Sequence, residues 1–239
     1  MSAIKDLKIK IFMDGADIGS IENCRFDFPF IKGFTTNPTL MRKAGVSDYE
    51  AFARRAIEAA KGLPISFEVF SDEFDDMERQ ARIIASWGTN AYVKIPVTNT
   101  GGESSCPLIG KLSGDGIRVN VTAMLSPGQA RGAVAALDRD VPAIVSIFAG
   151  RVADTGRDPV PLMKDCLALL EAHPRAELLW ASPRELLNIM QADEAGCHII
   201  TVTSDLMAKL KLVGKDLEEF SLETVKMFYN DARAAGFRL

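Results

Sequence analysis

Eight short apolar runs, rich in β-branched residues, recur along the chain and are separated by longer stretches with helical hydrophobic spacing. The strand-like runs are KIKIFMD (8 to 14), GFTTN (33 to 37), PISFEVF (64 to 70), AYVKIPV (91 to 97), IRVNVTAM (117 to 124), AIVSIFA (143 to 149), ELLWAS (177 to 182) and HIITVT (198 to 203). Between them, SDYEAFARRAIEAAKG places Phe52, Ala56 and Ala59 on one face, with Ser47 as the expected cap and Gly62 after the end. DDMERQARIIASWG, SPGQARGAVAAL, PVPLMKDCLALLEA and SPRELLNIMQADEAG follow the same grammar. Strands alternating with helices without a break predict an α/β fold, a (β/α)8 TIM barrel spanning 1–239 as a single domain. A further amphipathic helix is expected over 216–237, docked on a barrel mouth or a neighbouring subunit. Neither GxGxxG nor GxxxxGK[ST] follows the first strand, which weakens a nucleotide-binding alternative. Thr100, Gly101 and Gly102 read as a loop.

Side chains alternate along a strand, so parity sorts the polar residues by face. In AYVKIPV, Val93, Ile95 and Val97 form an apolar face, and Lys94 shares the opposite one with Tyr92 and Pro96. The same rule sends Ser66, Glu68 and Phe70 inward on the third strand and Arg118, Asn120 and Thr122 inward on the fifth. Asp14 is in phase with Phe12, Ser146 with Phe148, and Ser182 with Trp180. Asn37 lies at the carboxyl end of the second strand, before Pro38. Polar groups therefore collect at the C-terminal ends of the strands, where barrel enzymes build their active sites.

Composition narrows the partners. A net charge of -4 with dispersed Lys and Arg argues against a nucleic-acid surface or a polybasic membrane patch. No run approaches the roughly 20 apolar residues of a membrane span, and the N-terminus lacks a signal-like apolar core. The expectation is a cytoplasmic protein acting on a small molecule. Cys24, Cys106, Cys166 and Cys197 have no metal-like spacing and read as reduced structural thiols, while His173 and His198 read as packing residues. No metal site is expected.

Lys94 is the residue that composition does not explain. Burying an ion pair is a poor way to gain stability, so an inward lysine with Asp14 and Glu68 points to chemistry. A deprotonated lysine amine attacks carbonyls to form a Schiff base, and the resulting iminium is an electron sink that makes a nearby carbon–carbon bond breakable. A carboxylate such as Asp14 can move the accompanying hydroxyl proton. Glu68 and Thr122 can hold the water removed and returned.

The motifs IFMDGAD, GFTTNPTLMRKAG, ISFEVF, YVKIPVT, VNVTAMLS, SIFAGR and WASPRELLN, in this order, resemble the strand motifs of the transaldolase family from about Lys10 to Lys209. The short chain is similar to the small branch that includes fructose-6-phosphate aldolases. The resemblance implies a class I, cofactor-free barrel with the Schiff base on Lys94, the acid/base role on Asp14, and the catalytic water on Glu68 and Thr122. It assigns Asn37 to the donor's hydroxyls, Asn120 and Ser146 to the three-carbon unit, and Arg151, Ser182 and Arg184 to the phosphate. Glu68 and Phe148 match transaldolases, whereas the aldolase branch tends toward Gln and Tyr. The chain departs from the family pattern at Pro183, where an aromatic is usual, and at TSDLM, where a proline-containing turn is common.

The expected reaction is transfer of a dihydroxyacetone unit from a ketose phosphate, of the fructose 6-phosphate or sedoheptulose 7-phosphate type, to an aldose phosphate. The alternatives are a lyase releasing free dihydroxyacetone, a non-catalytic sugar-phosphate-binding barrel, and a metal-dependent aldolase, for which the ligand set is poor. The small branch often forms rings, so a homo-oligomer is expected.

Overall fold

The computed structural model describes residues 7–239, apart from the Arg25 side chain. Residues 1–6 of the N-terminal segment, for which the sequence predicts no leader, lie outside the described residues. Eight parallel strands close on themselves in chain order: β1 (Lys10–Asp14), β2 (Gly33–Thr35), β3 (Ile65–Glu68), β4 (Ala91–Pro96), β5 (Val119–Met124), β6 (Ala143–Ile147), β7 (Ala176–Trp180) and β8 (Ile199–Thr203). β8 returns to β1 with a register running from Lys10↔Ile199 to Asp14↔Thr203. The outer ring comprises α1 (Ile18–Asp27), α2 (Pro38–Lys43), α3 (Tyr49–Ala59), α4 (Phe74–Ser86), α5 (Cys106–Gly114), α6 (Pro127–Ala136), α7 (Ala149–Ala153), α8 (Pro159–Leu169), α9 (Leu187–Glu194) and α10 (Ser204–Ala208). A last helix, α11 (Leu217–Ala234), follows, and the whole is a (β/α)8 TIM barrel with an added C-terminal helix.

The outward strand residues build the larger core. Ile11, Phe67, Val93, Ile95, Val121 and Val145 pack with helical Ala56, Ala81, Ala133, Ile84 and Leu112, all of them buried. The alanines let helix backbones approach the sheet closely. Inside the barrel a smaller cluster joins Phe12, Ile144, Leu179, Ala181 and Ile199, with Tyr92 and Phe148 packed against it. Gly33 stands opposite Phe12 in the register, and a Cβ on Gly33 would lie 2.5 Å from the Phe12 ring. A missing side chain on β2 therefore makes room for the ring that fills the barrel beneath the mouth.

Several local expectations are corrected. Asp48, rather than Ser47, caps α3, accepting a 2.9 Å bond from Ala51 N–H. Phe70 lies past the end of β3, 63% exposed and packed at a tilt against Tyr49 with ring centroids 5.3 Å apart, so strand parity does not carry it inward. Trp180 packs into the outer core, and Leu179 and Ala181 take the inward positions that parity with Ser182 assigned to Trp180. The Pro183 segment is irregular and α9 starts only at Leu187. β5 carries an irregularity between Val121 and Met124, with Ala123 at φ 64°. His198 is a packing residue: its Nδ1 accepts the Leu178 N–H at 2.9 Å, and burial holds the imidazole below its usual range.

Gly33→Ala should destabilise the protein by about 1–3 kcal/mol, the usual cost of overpacking a filled interior. Thermal melts of Gly33→Ala, Phe12→Leu and the double variant test the contact. A double variant more stable than the sum of the singles is expected, and strict additivity would dissociate the two positions.

Candidate active site

The strands end in a cavity of about 610 Å³ at the C-terminal mouth of the barrel, and Lys94 lies on its wall. Lys94 is only 6% exposed. Its Nζ lies 2.9 Å from Glu68 Oε2 and donates to the Thr36 carbonyl at 3.0 Å. The register explains the pair: Glu68 and Lys94 are direct cross-strand partners on β3 and β4, both directed inward. The Glu68 backbone is itself fastened, since Tyr49 Oη donates to its carbonyl at 2.6 Å.

Asp14 ends β1 on the same wall. Burial pushes its carboxyl above the usual range, the charge of Lys94 and the hydrogen bond from Thr35 work against that rise, and Glu68 adds to it. Thr35 Oγ1 donates to Asp14 Oδ1 at 2.7 Å and is also hydrogen-bonded to Thr201 Oγ1.

On the other side of Lys94 the interior is polar. Ser146 Oγ donates to Asn120 Oδ1 at 2.7 Å, and Asn120 Nδ2 donates to Ser66 Oγ at 3.0 Å. Thr122 Oγ1 is buried without a hydrogen-bond partner among the described residues. Asn37 reaches the mouth because Pro38 opens α2 and forces the preceding residue into extended backbone. Its Oδ1 caps the helix by accepting from Leu40 N–H at 3.0 Å, which leaves its amide as a donor.

The rim is built where the β6 and β7 loops touch. Gly150 N–H donates to the Ala181 carbonyl at 3.3 Å, and a Cβ on Gly150 would sit 1.5 Å from the Ser182 oxygen, so only glycine fits there. Ser182 adopts φ 63° and reaches the cavity through that turn, not through strand parity. Phe148 lines the cavity with the Arg151 guanidinium 4.9 Å above its ring. Arg184 Nε bonds Asp154 Oδ1 at 3.0 Å and its Nη2 also meets that carboxylate, which Arg184 holds below the usual range.

The cavity wall thus brings together Asp14, Asn37, Glu68, Lys94, Thr122, Ser146, Phe148, Arg151, Ser182 and Arg184, while Asn120 supports it from beneath Ser146. Sequence reasoning missed Thr35, Thr201 and Lys43, which also line it. Thr35 and Thr201 were within reach of the parity argument, as polar residues in otherwise apolar runs. Lys43, in the last turn of α2, carries no such signal.

The class so defined is a closed parallel (β/α)8 barrel with a buried lysine paired with a carboxylate in a cavity at its mouth. The sequence profile of the family described as Transaldolase/Fructose-6-phosphate aldolase matches residues 11–239. A protein named probable transaldolase from Dehalococcoides mccartyi is 34% identical over 84% of this chain and 90% of the relative. One named probable transaldolase 2 from Listeria monocytogenes is 34% identical over 89% and 94%. The chain belongs to the transaldolase/fructose-6-phosphate aldolase family. The fold is also similar to that of 3-hexulose-6-phosphate synthase from Salmonella typhimurium, with a TM-score of 0.54 at 15% identity over 83% of this chain and 89% of that one.

Because Asp14 binds its proton more tightly folded than unfolded, its favourable contribution is complete below the unfolded value near 4 and is lost as pH rises through the folded one. Asp14→Asn should therefore raise Tm at pH 7, by about 2–4 °C for each kcal/mol released, and leave it unchanged below about pH 4. A lower Tm for the variant at pH 7 would contradict the cost assigned to the ionised carboxylate.

Proposed function

We propose that the protein is a class I transaldolase carrying a dihydroxyacetone unit from a ketose phosphate, of the fructose 6-phosphate or sedoheptulose 7-phosphate type, to an aldose phosphate. The observation that carries this reading is Lys94, buried in the cavity wall with its Nζ 2.9 Å from Glu68. Glu68 takes a proton from the ammonium, and the free amine attacks the ketose carbonyl to form a carbinolamine. Loss of water gives the iminium. Thr122 Oγ1, lacking a protein partner, joins Glu68 in holding that water.

Asp14 then accepts the proton of the C4 hydroxyl while the C3–C4 bond breaks. The bonding electrons pass into the enamine on Lys94, and the aldose phosphate leaves. Attack of the enamine on an acceptor aldehyde, return of the proton from Asp14 and hydrolysis of the iminium release the new ketose phosphate. No external electron carrier or metal is invoked in these steps.

Asn37 offers its amide to the donor's hydroxyls, and the Asn120–Ser146 pair faces the three-carbon unit. Arg151, Ser182 and Arg184 form the phosphate corner, for which a guanidinium fork is well suited. Transfer is favoured over lysis because Phe148 brings a ring and no hydroxyl to the intermediate, so it offers no help in protonating the enamine. No helix among the described residues is long and apolar enough to cross a membrane. A cytoplasmic location is part of the proposal; burial pushes the thiols of Cys166 and Cys197 up to about 11 and about 12, which makes them unreactive structural residues.

Borohydride reduction with fructose 6-phosphate should add a three-carbon mass to the peptide holding Lys94, and erythrose 4-phosphate should discharge the intermediate before reduction. Lys94→Met should remain folded and give no adduct. Rapid release of dihydroxyacetone without acceptor would identify the lyase, and an active Lys94→Met would overturn the assignment.

A homo-oligomer is also proposed. None of the residues of α11 is buried, and Phe228 and Tyr229 are 62% and 61% exposed, so the helix presents aromatic surface that a second copy would cover. Truncation before Asp216 should reduce the number of subunits per particle in light scattering; an unchanged subunit number would count against α11 as the contact.

A further inference from the structure

We infer that Thr201 is a positioning residue for Asp14: through Thr35 it keeps a hydroxyl proton directed at the carboxylate that takes the substrate's proton. The inference rests on the role proposed for Asp14, and on a chain of three side chains spanning β8, β2 and β1. Thr35 Oγ1 is shared between Asp14 Oδ1, at 2.7 Å, and Thr201 Oγ1. An ionised carboxylate only accepts, and a hydroxyl has one proton. Thr35 therefore spends its proton on Asp14 and must accept from Thr201, which fixes the direction of the whole chain.

The placement makes this arrangement effective. β1 lies between β2 and β8, and Thr201 stands opposite Phe12, one inward position below Asp14. Thr35 and Thr201 are both buried while reaching the cavity wall, so the partners that hold their hydroxyls are each other and Asp14. Hydrogen bonds in series polarise one another in a low-dielectric interior, so the Thr201 bond strengthens the one that Asp14 receives.

The charged groups acting on Asp14 are Lys94 from β4 and Glu68 from β3, while β2 and β8 bring the hydroxyls of Thr35 and Thr201. The charge on Lys94 changes as ammonium, amine, iminium and enamine succeed one another. Two neutral hydroxyls do not change with it. They supply a constant bias toward the ionised form, the form needed at the moment of cleavage, when burial alone favours the protonated one.

The test is a ¹³C-carboxyl NMR titration of Asp14 in the full-length protein, assigned by its loss in Asp14→Asn, with the pH dependence of kcat measured alongside. Thr201→Val should raise the Asp14 midpoint and the acid limb of kcat together by a few tenths of a pH unit, roughly a twofold loss of turnover on that limb. Thr201→Ser should restore both, and Thr35→Val should exceed Thr201→Val. Thr201→Ala, which adds no bulk, gives the same reading if the valine variant does not fold. A midpoint equal to wild type in a folded Val or Ala variant, or one that Ser fails to restore, overturns the inference. Absence of any ketose adduct in the wild type would instead overturn the proposed function, and the NMR midpoint decides the role of Thr201 without turnover.

Discussion

A lysine ammonium inside a closed barrel has to be met by charge and by acceptors, because an unpaired ion there would cost several kcal/mol. Lys94 is met twice, by the Glu68 carboxylate at 2.9 Å and by the Thr36 carbonyl at 3.0 Å. Both depend on strand pairing: Glu68 through the β3–β4 register, and Thr36 through the end of β2, one strand further round. The fold and the site are in this sense one construction. The strand pairing that satisfies the backbone also delivers a carboxylate to the amine.

The interior is divided so that this pair stays polar on one side and dry on the other. Phe12, Ile144, Leu179 and Ile199 fill the part under β1 and β6–β8, and the Ser146–Asn120–Ser66 chain occupies β3, β5 and β6. The apolar part excludes water from beneath Asp14, which is why burial dominates its titration. The polar part hydrogen-bonds its own members and still directs Ser146 to the cavity. Gly33 makes the division possible by leaving space for the Phe12 ring.

At the rim, charge is balanced rather than simply accumulated. Arg184 is clasped by Asp154, while Arg151 lies over Phe148 and Lys43 lines the cavity near Asn37. An exposed ion pair such as Arg184–Asp154 contributes little to stability, so its consequence is to hold the orientation of the guanidinium. The contact of Gly150 with Ser182 locks the two loops that carry these groups. Pro183 directly follows that contact, which is made by the Ser182 backbone.

Much of this was legible from residue order. Alternation in AYVKIPV and PISFEVF placed Lys94 and Glu68 on one inward face, since strand parity is a local property of extended backbone. Motif spacing similarly assigned Asn37 to the head of a helix. Parity failed where the backbone leaves the strand: Phe70 lies past β3, and Trp180 packs outward while Ser182 reaches the cavity through its φ 63° turn. The sequence by itself determined the eight-unit barrel and the inward faces of β1, β3, β4, β5 and β6, because these follow from periodicity and residue type. Only the tertiary structure decided that Thr35 links Asp14 to Thr201, that Asp154 holds Arg184 and that Gly33 yields to Phe12. Each of those joins different strands or loops, and which atoms meet across a closed barrel depends on register and on turns that no single segment encodes.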